Sequence, residues 1–407
     1  MAKKKATERI EVTDRESKLR AVEQLAQQIN NNLGVNVVFC NSSPLDTTKV
    51  YSTRVPSLDI ATGVGGIPRG RITEIFGPER SGKTTVALQV AATAQSAGDV
   101  VLYVDAEHAL DKEYCNALGL DIDDKSFIIV QPNYGEQGLD VVLKYLDQSL
   151  ADLVIIDSLA SLMPKSMFDA ILEDGMTIQR VGERARMLTK FVDAAVSLVN
   201  TSNSTLLLLQ QMRTKITAMG AQETTASPLA VKHEESLRIE IRRVKDEIKG
   251  NATDETLYGT HQVSRAKVVK NKVAKPFRQS IFDVIYGLGA DYAQNLLLTC
   301  VAKDLPDVVL GSMGWVTIID PATGEQLAKF RKTQSREFLD EHRDIASMLN
   351  EKLSHMVGIS LYDVYNPTKE IGPLEVPEPI ELMNLGEYET EPLAFGEPVE
   401  PSDDVEV

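Results

Sequence analysis

Cysteine is scarce in this 407-residue chain. Its three cysteines, Cys40, Cys115 and Cys300, lie far apart with no ligand spacing, which excludes a disulfide framework and a thiolate zinc site. No apolar run approaches the roughly 18 residues that a membrane helix needs, so no membrane partner is expected. The chain opens Met1-Ala2-Lys3-Lys4-Lys5 and stays polar, without the apolar stretch of a signal peptide. A reducing, cytoplasmic setting is the expected compartment. The C-terminal end lacks positive charge altogether: residues 370–407 hold twelve Asp or Glu, six prolines and no Lys or Arg. Such a composition cannot bury a core, and residues 369–407 are expected to form a disordered acidic tail.

What is present is globular in kind. Hydrophobic residues at 43% and charged residues at 25% exclude wholesale disorder, and the length suggests about two to three domains. A net charge of -16 ordinarily argues against a nucleic-acid partner. Removing the twelve tail carboxylates leaves only -4 on residues 1–369, where all 43 basic residues lie. The body is therefore nearly balanced, and the objection to nucleic acid falls away.

Residues 16–32 place Leu19, Val22, Leu25, Ala26 and Ile29 at helical spacing, and residues 34–40 read as a short strand ahead of a polar linker, 41–49. From 50 to 287, β-branched runs (71–76, 100–104, 153–156, 205–209, 237–242) alternate with helical patterns. That alternation predicts an α/β fold, a doubly wound and mostly parallel central sheet flanked by helices. Residues 288–368 read as a small α/β lobe.

The strongest motif is Gly77-Pro78-Glu79-Arg80-Ser81-Gly82-Lys83-Thr84-Thr85, between a predicted strand at 71–76 and a predicted helix at 85–97. This is a Walker A phosphate loop in its required setting. Its glycines free backbone N–H groups to face phosphates at a helix N-terminus. Lys83 is expected to reach the β- and γ-phosphates, and Thr84 to hold Mg²⁺. The apolar strand 153–156 ends in Asp157, placed as a Walker B acid for the same ion. Glu107, in Asp105-Ala106-Glu107-His108-Ala109-Leu110-Asp111, follows the neighbouring strand, where it can orient and deprotonate a water. His108 is expected to pack locally.

With these motifs the chain resembles the RecA family of recombinases. The resemblance includes Ser57-Leu58-Asp59-Ile60-Ala61, Gly65-Gly66-Ile67-Pro68-Arg69-Gly70-Arg71, Asp157-Ser158, Gln211-Met212-Arg213 and residues 267–279. It implies ATP and Mg²⁺ as cofactors, single- and double-stranded DNA as partners, and a helical homo-filament. Glu107 matches the family's catalytic glutamate, and Asp111 and Tyr114 its adenine contacts, with Tyr286 and Gly287 closing the base site. Gln211 matches the γ-phosphate sensor. Lys270 and Lys272 match lysines that reach ATP in the adjacent subunit, although by themselves they read equally as a solvated basic turn. Residues 1–49 match the polymerisation element and linker, and 50–287 the ATPase core.

Two segments correspond to DNA-binding loops. The first, 164–186, carries Lys165, Arg180, Arg184 and Arg186; the second, 213–233, carries Arg213, Lys215, Ile216, Thr224, Thr225 and Lys232. Cationic loops suit salt-dependent phosphate contact. Here the chain departs from the family: Asp193 stands for an arginine, Ser227-Pro228 for two glycines and Leu229 for an asparagine. Pro228 fixes φ and lacks an N–H to offer a phosphate. The resemblance implies a DNA-dependent ATPase that exchanges strands; a ring-shaped helicase or a regulatory paralogue on the same core are the alternatives. The acidic tail competes with DNA in the family, and in composition it is also a solubilising tail.

Overall fold

Strands that are apolar at nearly every position persist only in a sheet covered on both faces. The middle of this chain is built from such strands. The computed structural model describes residues 15–33, 49–174, 182–217, 220–225, 228–248 and 259–367. The chain begins with α1 (Arg15–Leu33), β1 (Val50–Tyr51), α2 (Pro56–Thr62) and β2 (Ile67–Pro68). Next come β3 (Ile72–Gly77), α3 (Lys83–Ser96), β4 (Val101–Asp105), α4 (Lys112–Ala117), β5 (Phe127–Val130), α5 (Gly135–Asp147) and β6 (Leu153–Asp157). The order continues with α6 (Lys165–Asp174), α7 (Glu183–Ser202), β7 (Thr205–Thr217), β8 (Gly220–Thr225), α8 (Leu229–Glu234) and β9 (Leu237–Ile248). Then follow β10 (Gly259–Asn271), β11 (Gln279–Ile285), β12 (Gly289–Ala290), α9 (Tyr292–Ala302), β13 (Val308–Leu310), β14 (Trp315–Ile319), β15 (Gln326–Arg331), α10 (Ser335–Glu341) and α11 (Arg343–Val357).

The large sheet runs β12-β11-β10-β9-β3-β7-β6-β4-β5, with β8 paired to β7. From β9 to β5 every pairing is parallel. The fold is therefore the mostly parallel α/β architecture that the alternating pattern predicts. Side chains alternate between two cores along each strand. Tyr103, Ile155, Leu207 and Leu209 face the layer containing α3, where Val86, Leu88, Val90 and Ala91 are buried. Leu102, Val104, Val154, Ile156, Leu206 and Leu208 face α5 and α7, against Leu139, Val142, Leu188 and Phe191. Each such aliphatic side chain contributes about 1.5–3 kcal/mol on burial, so the frame that holds the site is rigid. A third core, including Leu296, Ile318, Leu339, Leu349 and Leu353, joins α9, α10 and α11 to the antiparallel sheet β13-β14-β15.

The structure differs from the sequence reading in three respects. One edge of the large sheet is antiparallel, β9 to β10 to β11 to β12, each strand pairing with the next in the chain, an arrangement that needs no crossover helix. The phosphate-loop helix starts at Lys83 rather than at residue 85. The second DNA segment is not a plain loop: alternating residues carry β7 out to Thr217, β8 returns against it, and α8 follows Pro228. The expected strand 34–40, most of the linker and the acidic tail lie outside the described residues.

Candidate active site

Register gathers the chemistry at one edge. Gly77 sits opposite Gln211 across β3 and β7, and Asp105 opposite Asp157 across β4 and β6, so the carboxyl ends of four strands finish together. The phosphate loop leaves β3 there and enters α3. Gly77 has no room for a side chain, since a Cβ would lie 1.9 Å from the Ile241 carbonyl. Gly82, at φ +96°, turns the chain into α3 through a left-handed conformation that glycine adopts freely. The first N–H groups of this 14-residue helix then point out of the loop.

Lys83 folds over the loop, and its ammonium donates to the Pro78 carbonyl at 2.6 Å. Burial holds the ammonium below the usual lysine range, opposed by the carboxylates of Asp157, Glu107 and Glu79. Thr84 Oγ1 donates to Asp157 Oδ2 at 2.8 Å, and the Tyr103 phenol donates to the same oxygen at 2.9 Å. Burial raises the Asp157 carboxyl, and those two hydrogen bonds work against the rise. The buried Ser81 hydroxyl has no hydrogen-bond partner among the described residues, which leaves it able to donate to a ligand oxygen. Adjacent hydroxyl and carboxylate oxygens suit Mg²⁺, a hard cation that takes few protein ligands and completes its shell with phosphate and water. In keeping with that, no cluster of three or more His, Cys, Asp or Glu that could hold a metal occurs among the described residues.

Glu107 lies beside this pair. Its Oε1 accepts from Ser158 Oγ at 2.7 Å, Gln211 Nε2 at 2.8 Å and Ser161 Oγ at 3.3 Å. His108 does not pack as expected: it is exposed, at φ +52°. Asp111 caps α4 by accepting from the Tyr114 N–H at 2.7 Å, and the Tyr114 hydroxyl shares a 2.7 Å hydrogen bond with Thr85 Oγ1. Both are thereby tied to the phosphate-loop helix. Tyr286 and Gly287 sit on the exposed turn between β11 and β12. That turn closes on the end of α4, where a Cβ on Gly289 would meet Leu118 at 2.3 Å.

Lys270 and Lys272 are not part of this cluster. Lys270 Nζ donates to the carbonyls of Lys232 and His233 at 2.5 and 2.9 Å, and Lys272 Nζ to His233 at 3.0 Å. Both ammoniums cap the C-terminal end of α8. Beneath them lies a buried cluster: the Arg238 guanidinium reaches Glu74 at 2.6 Å and Glu235 at 2.7 Å. One cation cannot neutralise two buried carboxylates. Glu235 is accordingly pushed up to about 9, by burial first and by the Glu74 charge second.

Of the DNA candidates, Lys165 opens α6, with its ammonium 5.5 Å from the Tyr134 ring centre, while Arg184 and Arg186 stand in the first turn of α7. Arg180 lies outside the described residues. Arg213, Lys215 and Ile216 fall on β7, with Arg213 in register with Thr224 and Met212 with Thr225 on β8. Lys232 lies on α8. Pro228, expected only to remove a donor, stands at φ -57° immediately before that helix, and Val231 fastens it to the α7 core. Asp193 is exposed on α7. Sequence reasoning missed Tyr103 and Ser161 as partners of the two acids. Their only trace was nearness to Asp105 and Asp157 in the chain.

This arrangement has the geometry of a P-loop nucleotide-binding fold. The model of the RecA N-terminal domain matches residues 20–291. Protein RecA of Salinispora arenicola is 37% identical over 355 residues, covering 86% of this chain and 94% of that protein. Protein RecA of Streptomyces avermitilis is 38% identical over 366 residues, covering 88% and 90%. The chain belongs to the RecA family, and it is a RecA-type DNA recombinase. A crystal structure of the RadB recombinase also overlaps 59% of the chain at 20% identity and a TM-score of 0.44; the assignment rests on the sequence relatives alone.

Proposed function

We propose that the protein hydrolyses ATP in response to DNA, and that it works as a helical homo-filament on single-stranded DNA, pairing it with duplex DNA and exchanging strands in the cytoplasm. The observation that carries this is the convergence of Lys83, the Thr84–Asp157 pair and the Glu107–Gln211 pair at one end of the sheet, one of whose strands, β7, continues into the cationic hairpin. Lys83 and the N–H groups at the start of α3 bind the β- and γ-phosphates. Thr84 and Asp157 would hold Mg²⁺, whose positive charge would offset that of the phosphate oxygens. Glu107 takes a proton from the water whose oxygen attacks the γ-phosphorus, and ADP leaves with the bridging oxygen. Asp111 and Tyr114, with Tyr286 and Gly287, hold the base. Gln211 senses the γ-phosphate at the root of the hairpin.

Lys270 and Lys272 serve the ATP of the next subunit in this reading, as cations on transferring phosphate do elsewhere. Assembly is supported by α1, whose Leu19, Val22 and Leu25 form an apolar stripe roughly half exposed, at 55%, 49% and 51%. Lys165, Arg180, Arg184, Arg186, Arg213, Lys215, Ile216, Thr224, Thr225 and Lys232 are the proposed DNA contacts. No helix among the described residues is long and apolar enough to cross a membrane. The helicase and regulatory-paralogue alternatives are not favoured, because relatives named RecA match almost the whole chain and Lys83, Asp157 and Glu107 are all in place. ATP turnover measured with and without single-stranded DNA, followed by a strand-exchange assay, tests the proposal. Turnover indifferent to DNA defeats it, as does a closed ring on DNA in electron micrographs.

A further inference from the structure

Ser158 and Ser161 form one turn. The Ser161 N–H donates to the Ser158 carbonyl at 3.1 Å, and the Leu159 N–H donates to Leu209 of β7 at 3.1 Å. Leu159, Ala160 and Leu162 are all buried, at 0%, 3% and 1% exposure, while Ser161 between them is exposed. Core packing on both sides therefore fixes Ser161, which with Ser158 faces the site. Its hydroxyl lies 3.3 Å from Glu107 Oε1 and 3.2 Å from Ser158 Oγ.

Proton counting narrows what these hydroxyls do. Each serine has one proton to donate. If Ser158 gives its proton to Glu107, Ser161 either donates to the same carboxylate oxygen or donates to Ser158 and polarises it. Both arrangements leave Oε1 occupied and fix the plane of the carboxylate, with Oε2 left for water. Gln211 fills the remaining direction at 2.8 Å. When Gln211 turns toward a phosphate, that bond is given up, and the serine pair is what still holds the carboxylate in place.

We propose that Ser161 is a positioning residue for ATP hydrolysis, acting through Glu107. This rests on the reading of Glu107 as the base. A base misaligned by a fraction of an ångström loses rate without losing substrate affinity, so the expected signature is confined to kcat. Ser161→Ala is expected to lower DNA-stimulated kcat for ATP about five-fold, the weight of one neutral hydrogen bond, with KM for ATP within about two-fold of the parent. Ser161→Thr, which restores a hydroxyl at the same atom, is expected to return most of the rate. Glu107→Gln is assayed in parallel. If Glu107→Gln is inactive and Ser161→Ala turns over like the parent, the positioning role is overturned and the base survives. A rise in KM matching the fall in kcat, or no recovery with threonine, overturns it as well, by marking a structural defect. Normal turnover by Glu107→Gln overturns the base reading itself.

Discussion

The proposed nucleotide corner and the segments proposed to contact DNA are built on different terms. At the corner, several functional side chains are held by other side chains: Thr84 and Tyr103 by Asp157, Gln211 and Ser158 by Glu107, Tyr114 by Thr85. In the DNA-facing segments, it is backbone pairing and helix starts that position the cations, along β7–β8 and at the first turns of α6 and α7. Chemistry at phosphorus needs atoms fixed to fractions of an ångström, whereas contact with a phosphate backbone tolerates sequence and needs charge within reach. The difference teaches which substitutions will act as switches and which as adjustments.

The sharpest break is expected at the corner. Lys83→Ala removes the one cation buried against the phosphate loop, and ATP turnover is expected to fall at least about 10³-fold in a phosphate-release assay. Lys270→Ala tests the seam between the regions. It removes both a cap on α8 and a cation proposed for the neighbour's ATP, so DNA-stimulated turnover is expected to drop about 10²-fold while mononucleotide binding to the isolated subunit stays unchanged. In the DNA-facing region, Arg186→Ala is expected to weaken single-stranded DNA binding only about three-fold and to reduce the salt dependence by about one phosphate contact, read from a titration series in KCl.

The smallest effect concerns stability where the regions meet. Glu235 keeps its proton up to about 9 when folded, against an ordinary value of 4.5. Between those values the unfolded chain releases a proton that the folded chain retains, so this group's contribution to stability falls as pH rises from about 4.5 to 9. Glu235→Gln carries no such proton. The variant is expected to match the parent near pH 4.5 and to melt higher at pH 8.5, by calorimetry. Equal slopes of Tm against pH in the two proteins would show that Arg238 keeps Glu235 ionised.

The corner was legible in the sequence because its geometry is local. A glycine-rich turn between a strand and a helix dictates its own backbone, so Gly77 to Thr85 could be read with roles attached, as could Asp157 at the end of an apolar strand. Glu107 could be read from its place after β4, whereas Gln211 needed the family resemblance, since their contact joins residues 104 apart. The antiparallel edge was not legible: periodicity shows that residues 259–271 and 279–285 alternate, but not which strand they pair with. The cap formed by Lys270 and Lys272 on α8, and the Glu74–Arg238–Glu235 cluster, likewise join groups that only the folded sheet brings together. In the second DNA segment Pro228 was read for the N–H it lacks, whereas its fixed φ immediately before 229 also serves to start a helix.

Strand β7 changes partners at one point. It is paired with β6 up to Leu208 and with β3 up to Gln211; from Met212 onward its ladder is with β8. In mechanical terms this is a beam clamped along half its length and cantilevered along the rest, with the fulcrum at the residue that touches Glu107. Six residues at about 3.3 Å each give the free arm a reach of roughly 20 Å. A rotation of a few degrees at the root, the scale of one side chain changing its hydrogen-bond partner, becomes a displacement of more than an ångström at the tip.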